Sequence, residues 1–322
     1  MSSDVIEQGA EELDLTNAHL PTLADVQLNP SLKTLDLTAN RLKHLEPNLL
    51  DLPNLTWLSL RQNQLSDPTE VEALGSGASL RHLELRDNQF TAAPKITNFT
   101  CLTYLELSYN EIRCLEPLAE LQAPKIKQLY AAQNKISVIQ GVSQLTSLDI
   151  LELGSNRIRV IEGVDTLTNL KELWLGRNRI AEISGLDNLV NLKRISLQSN
   201  RLTSTLNLSN CTALEELYLS HNGIEELQGL ESLINLKILD VSSNRIKSLK
   251  GVETLTNLTD LWANDNGVES MDEVEAVLKP IAKTLEIVYL RGNPCASDEK
   301  YKLRMLYLLP KLEQLDDNPV ER

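Results

Sequence analysis

One short pattern limits what this chain can fold into. L-x-x-L-x-L-x-x-N-x-L recurs along the sequence, with its asparagines at Asn40, Asn63, Asn88, Asn110, Asn134, Asn156, Asn178, Asn200, Asn222, Asn244, Asn266 and Asn293. From Asn134 to Asn266 the asparagines are 22 residues apart every time. A fixed period of this size marks a stack of small units, none of which can bury its apolar side alone. In the coil that carries Asn156, the residues Leu148, Leu151, Leu153, Ile158, Ile161, Val164 and Leu167 are spaced to point into a shared core. An earlier copy, "LDLTNAHL", has Ala18 at the asparagine position and reads as the end of a cap.

The pattern is that of a leucine-rich repeat. The fold class it predicts is α/β: a solenoid with a parallel, concave β-sheet, a convex side of 3-10 or short helical turns, and caps at both ends. Each L-x-x-L-x-L supplies a short strand, and strands of successive coils stack about 4.8 Å apart. About eleven residues return the chain to the next strand, which is tight for an α-helix and favours 3-10 turns. Glycines recur at one convex position, Gly141, Gly163, Gly185, Gly229 and Gly251. The asparagine is a polar residue in a core position, so its amide must bond backbone groups of its own and adjacent turns.

Solenoid ends must be sealed against water. Residues 1–30 read as an N-terminal tail and cap, 31–295 as a repeat array of about 12 repeats, and 296–322 as a C-terminal cap. Before the last asparagine, "MDEVEAVLKPIAKTL" has helical spacing that Pro280 should kink or end. Cys295 takes an apolar place in the last coil. After it, Ser297 is the expected cap of a helix through Tyr301, Met305 and Leu308, which Pro310 stops. Leu312 to Leu315 can then add a final edge.

Side chains alternate faces along a strand, so the residue between the second and third leucine points away from the core. That column reads Asp36, Ser59, Glu84, Glu106, Tyr130, Glu152, Trp174, Ser196, Tyr218, Asp240, Trp262, Tyr289. From Glu106 to Trp262, acidic or small residues alternate with aromatics. The chain has three Trp, seven Tyr and two Phe. Eight of these, Trp57, Tyr104, Tyr109, Tyr130, Trp174, Tyr218, Trp262 and Tyr289, fall at non-core positions. Strand propensity favours aromatics, but it does not explain why they avoid the inward positions. Clustered surface aromatics are what protein interfaces use as anchors, and the column reads as a protein-binding face.

No catalytic constellation accompanies it. The four histidines, His19, His44, His82 and His221, lack partners at metal-ligand spacing, and there is no phosphate-loop or dinucleotide fingerprint. Glu106 and Glu152 lie two coils apart on an open face, not in the closed, dry site that acid–base work needs. The reading is therefore a non-enzyme with no cofactor and no metal. A formal net charge of -14 repels phosphates and anionic lipid, which disfavours nucleic acid and membrane as partners. Four unpaired cysteines and an acidic N-terminus without an apolar stretch point to an intracellular protein. The N-x-[ST] sequons at Asn54, Asn98, Asn207, Asn210 and Asn257 then read as chance.

Several stretches carry a resemblance: "LELGSNRIRVIEGVDTLTNL", "SLQSNRLT", "ELYLSHNGIEELQGLE", "VSSNRIKSLKGV", "LWANDNGVES" and "VYLRGNP". From about residue 30 to the end, the chain resembles the family of the leucine-rich-repeat regulatory subunit 7 of protein phosphatase 1. That resemblance implies a non-enzymatic solenoid whose concave face grips the catalytic subunit of protein phosphatase 1. It implies contacts at Glu106, Tyr130, Glu152, Trp174, Asp240, Asp260, Trp262 and Tyr289, to which the column reading adds Tyr218. Glu106 stands where the family typically has Asp, and Tyr130 and Trp174 where it often has Phe. No short R-V-x-F-type docking motif is present, which suits binding by a folded surface. The resemblance further implies a place in the nucleus and cytoplasm, a part in phosphatase maturation and mitosis, and a ternary complex with inhibitor 3. The rival reading is a leucine-rich-repeat scaffold for another partner: ciliary, tubulin-related or spliceosomal.

Overall fold

A computed structural model describes residues 10–121 and 125–321, so the first nine residues of the expected N-terminal tail and cap lie outside it. The chain forms two compact units, residues 1–157 and 158–322. Each is a stack of coils, and in each the three-residue strand lies where the repeat pattern predicts.

The first unit carries strands β1 (Glu12–Asp14), β2 (Thr34–Asp36), β3 (Trp57–Ser59), β4 (His82–Glu84), β5 (Tyr104–Glu106), β6 (Gln128–Tyr130) and β7 (Ile150–Glu152). Each pairs in parallel with the next, and equivalent leucines face one another: Leu35 with Leu58, Leu58 with Leu83, Leu83 with Leu105. The second unit carries β8 (Glu172–Trp174), β9 (Arg194–Ser196), β10 (Glu216–Tyr218), β11 (Ile238–Asp240), β12 (Asp260–Trp262), β13 (Ile287–Tyr289) and β14 (Gln314–Leu315), again parallel in sequence order. The last strand, β15 (Asn318–Pro319), turns back antiparallel to β14 and closes the edge.

The inward residues form one continuous apolar column per unit. Leu83, Leu105, Leu129 and Leu151 in the first unit, and Leu173, Ile195, Leu217 and Leu239 in the second, have no solvent exposure. Phe90 and Phe99 are equally buried, so the aromatics that do enter the core are the two phenylalanines and Tyr301. The return segments are short. Two one-turn helices, α1 (Pro47–Leu50) and α2 (Pro68–Glu72), and 3-10 turns at Gly75–Ala78, Glu116–Glu120 and Val252–Thr254 supply the named elements. Other coils return through single turns such as Leu145 N–H to Val142 O and Leu189 N–H to Leu186 O. The convex glycines have φ between 67° and 102°, a region closed to most side chains. At Gly185 a Cβ would stand 2.7 Å from the Ile161 carbonyl oxygen.

The asparagine ladder is continuous within each unit. Asn134 shows the geometry: its Nδ2 donates to the carbonyls of Leu107, Ala131 and Ala132, and its Oδ1 accepts from Ile112 N–H of the preceding coil. Asn40 reaches back in the same way to Leu15 O and Leu20 N–H, which ties in the degenerate first copy. The residue before each ladder asparagine from Asn40 to Asn266, such as Gln133 or Ser155, has φ between 53° and 59°.

Burial of the ladder is uneven, contrary to the expectation that every asparagine is buried. Those from Asn40 to Asn178 are, whereas Asn200, Asn222, Asn244 and Asn266 are half-exposed. The difference does not follow the next residue in sequence: Gly223 and Gly267 come after Asn222 and Asn266, but Arg201 and Arg245 come after Asn200 and Asn244 just as Arg157 and Arg179 come after the buried Asn156 and Asn178. A second, exposed series was not foreseen: Asn54, Asn191, Asn235 and Asn257 donate to Pro30 O, Thr168 O, Thr212 O and Ile234 O of the coil before.

At the C-terminal end, α3 (Met271–Leu278) is capped by Ser270, and Pro280 converts it to a 3-10 turn, Lys279–Ile281. The following helix, α4 (Tyr301–Leu308), starts later than the sequence suggested. Ser297 ends the 3-10 turn Pro294–Ser297, and Lys300 occupies the cap position without a side-chain bond. Asp298 takes up the free donor instead, accepting from Lys300 N–H at 2.7 Å. Arg304 on α4 pairs with Asp272 and Glu275 of α3 and with Asp298, which pins the two helices together.

Candidate protein-binding face

The open face of each strand carries the residues that sequence reasoning singled out, but they divide into two populations. In the second unit, Trp174, Ser196, Tyr218, Asp240, Trp262 and Tyr289 follow one another in strict register. The aromatics reach across the smaller residues between them. Trp174 and Tyr218 rings are 6.3 Å apart and nearly parallel, Tyr218 and Trp262 are 6.4 Å apart and tilted, and Trp262 and Tyr289 are 6.2 Å apart edge to face. Such spacings are within the range of favourable ring pairs.

The residues beneath are therefore covered. Asp240 is only 5 % exposed and Ser196 only 3 %. Asp240 accepts from Ser242 N–H at 3.0 Å and from Ser242 Oγ at 2.6 Å. Its carboxylate supports the aromatic row from below; an incoming group meets the rings first. Asp260, two positions before Trp262 on its strand, is half-exposed and accepts from Thr259 Oγ1.

A second row holds the rings in place. Trp174 Nε1 donates to Glu172 Oε2 at 3.1 Å, and Tyr218 OH donates to Glu216 Oε2 at 2.9 Å. Arg194 bridges Glu172 and Glu216, each at 2.8 Å. Burial, with the Glu216 hydrogen bond behind it, pushes the Tyr218 hydroxyl up to about 12, so it is a neutral donor at physiological pH. Tyr289 OH accepts from Gln314 of β14, while Trp262 Nε1 is buried with no acceptor among the described residues.

In the first unit the column is more acidic. Glu106 is 7 % exposed, accepts from Ser108 N–H at 2.7 Å, and is pushed up from its ordinary value chiefly by burial. Glu152 is also raised, first by burial and then by the charge of Glu106, with Arg86 opposing. Tyr130 OH donates to Gln128, and its ring lies 5.3 Å from that of Tyr104.

The structure thus places Tyr130, Glu152, Trp174, Tyr218, Asp260, Trp262 and Tyr289 at partly open positions of the strand face. Glu106 and Asp240 lie below that surface. Sequence reasoning missed the neighbouring column in the first unit. Trp57, His82 and Tyr104 occupy the first position of three successive strands, and their rings stack at 5.3 Å and 4.0 Å with planes within 16°. Among the described residues there is no group of three or more His, Cys, Asp or Glu that could hold a metal, and no helix is long and apolar enough to cross a membrane.

Comparison with known proteins follows this geometry. Sequence-family models described as leucine rich repeat match residues 8–65, 30–90 and 100–113, and the model of the leucine-rich-repeat domain of endo-beta-N-acetylglucosaminidase EndoS matches residues 136–244. The protein phosphatase 1 regulatory inhibitor subunit PPP1R7 homolog of Arabidopsis thaliana is 45% identical over 146 residues, 44% of this chain and 44% of that protein. The chain is a leucine-rich-repeat protein, similar to regulatory subunit 7 of protein phosphatase 1. The U2 small nuclear ribonucleoprotein A' of Aspergillus fumigatus is 32% identical over 87 residues, 27% of this chain and 34% of that protein. The chain spans less than half the length of the curated relatives it matches. An internalin of Listeria monocytogenes shares the fold with a TM-score of 0.82 over 96% of this chain and 87% of that one, at 23% identity.

Proposed function

We propose that this chain is a non-catalytic regulatory subunit that binds the catalytic subunit of protein phosphatase 1 through its open strand face and controls that enzyme's maturation, localisation or activity. The observation that carries the reading is the row Trp174–Tyr218–Trp262–Tyr289, an aromatic surface on a chain with 45% identity over 146 residues to a phosphatase 1 regulatory subunit homolog. Rigid aromatic rings, three of the four with their polar ends already bonded, lose little entropy on binding and act as anchors. Asp260 adds negative charge on the same strand as Trp262 and favours a basic contact surface on the enzyme. The contact residues are Trp174, Tyr218, Asp260, Trp262 and Tyr289 of the second unit and Tyr130 and Glu152 of the first, while Asp240 and Glu106 shape the respective faces from beneath. The setting is the nucleus and cytoplasm, in mitotic control, with inhibitor 3 as a further member of the complex.

Similarity to a spliceosomal subunit over 87 residues supports a second reading, a scaffold for a ribonucleoprotein component. Calorimetric titration with the purified catalytic subunit separates the two. Saturable one-to-one binding supports the phosphatase reading; no heat at micromolar concentrations, with binding to a spliceosomal partner instead, rejects it.

A further inference from the structure

We propose that the first unit carries a second docking track, distinct from the aromatic row of the second unit, for an extended acidic segment of a partner protein. The track is the column Trp57–His82–Tyr104 and the basic residues beside it. The three rings stack on one another along the coil direction, at 5.3 Å and 4.0 Å and within 16° of parallel. Both faces of His82 and one face each of Trp57 and Tyr104 are therefore spent within the stack, and along its length the surface presents ring edges. A ring edge is the positive end of the aromatic quadrupole and attracts carbonyl and carboxylate oxygens.

Immediately before this column on the same strands runs the series Lys33, Thr56, Arg81, Thr103, Lys127. Basic residues thus recur at every second coil. The threonines between them turn their hydroxyls onto backbone, Thr56 Oγ1 to Lys33 O and Thr103 Oγ1 to Arg81 O. Lys33 pairs with Glu11 at 2.7 Å, but Arg81 and Lys127 are exposed and have no carboxylate partner among the described residues. Of the acids on the other side, Asp36 accepts from Thr38 N–H at 2.9 Å and the next two are answered or covered. Glu84 accepts from His82 Nε2 at 2.8 Å and lies 3.6 Å from Arg61, and Glu106 is buried. A chain with net charge -14 therefore carries a local positive edge beside a slab of ring edges.

The spacing selects the form of the ligand. Two coils span about 10 Å, and a chain in the extended polyproline II form rises about 3.1 Å per residue with three residues per turn, so alternate coils match every third residue along one side of such a peptide. An acidic residue at each third position would meet Lys33, Arg81 and Lys127 in turn. Single-stranded nucleic acid is the poorer fit, because successive bases need a series of open ring faces and the inner faces of this stack are occupied.

The test uses the full chain and a dye-labelled synthetic peptide of about twelve residues with aspartate at every third position, read by fluorescence anisotropy. Saturable binding that weakens with salt is expected, and Arg81→Glu with Lys127→Glu should reduce affinity at least about tenfold. Both side chains are exposed, so an unchanged melting midpoint in that variant is expected as the folding control. Trp174→Ala, which addresses the phosphatase face, should leave peptide binding unchanged, so that failure of one site is distinguishable from failure of the other. Equal affinity of the wild type and the Arg81→Glu, Lys127→Glu variant would overturn the proposal. So would tighter binding of an oligonucleotide of the same charge, or no binding by the wild type at millimolar peptide.

Discussion

Asn134→Ala removes one rung of the ladder, and its cost can be worked from the bonds it breaks. Asn134 Nδ2 serves Leu107 O, Ala131 O and Ala132 O, but each of these keeps another donor: Asn110 Nδ2, Asn156 Nδ2 and Tyr109 N–H. Ile112 N–H is different. Its acceptor is Asn134 Oδ1 at 2.9 Å, in a buried position with nothing to take over. One orphaned buried donor costs about 1–3 kcal/mol, and three weakened carbonyls add to that, giving about 2–4 kcal/mol in total. For a unit of this size each kcal/mol lowers the melting midpoint by about 2–4 °C, so a drop of roughly 4–16 °C is expected. Asn200→Ala breaks an equivalent set, to Ile180 N–H and the carbonyls of Leu175, Leu197 and Gln198. Asn200 is half-exposed, so water can replace its amide and the loss should be roughly half as large. Thermal melts of both variants, with amide exchange at Ile112, provide the measurement. An unchanged midpoint for Asn134→Ala, or an Asn200→Ala loss as large as that of Asn134→Ala, would refute the accounting.

Three further expectations follow from the geometry. Gly185→Ala should destabilise its unit by about 1–3 kcal/mol, because φ is +67° and the new Cβ meets Ile161 O; denaturant melts against the wild type check this. Glu152→Gln should stabilise at neutral pH. Burial raises the native carboxyl, so its contribution is present at acid pH and lost as pH rises through the native value. The wild type should therefore approach the variant as pH falls toward the ordinary glutamate range, and a pH series of midpoints checks this. Asp260→Lys should weaken phosphatase binding more at low salt than at high salt, which titrations at two ionic strengths would detect; a loss independent of salt would indicate misfolding.

The repeat made most of the fold legible, because a leucine at Leu83, Leu105 or Leu129 can serve only one side of a three-residue strand. The asparagines were equally legible, since a buried amide has few uses other than a ladder. What the column could not reveal was depth. Alternation says that Asp240 points away from the core, but not that Tyr218 and Trp262 close over it. Their reach depends on side-chain length and ring tilt. The Trp57–His82–Tyr104 stack was present in the sequence as three planar residues at the first strand position, and reading the central column alone passed over it. The cap of α4 was misplaced for a local reason. Asp298 satisfies the turn before Lys300, so a serine one residue earlier is not needed.

The central claim is that the open face of the second unit binds the phosphatase, and Trp174 tests it most directly. Its neighbours Leu173 and Leu175 are fully buried, while its own ring lies on the face against Tyr218 with Nε1 on Glu172. Trp174→Ala removes no core packing and should melt close to the wild type. In a calorimetric titration with the purified phosphatase 1 catalytic subunit it should lose at least about 2 kcal/mol of binding free energy, while Trp57→Ala in the other unit loses little. Near-native affinity of a folded Trp174→Ala protein would contradict the account.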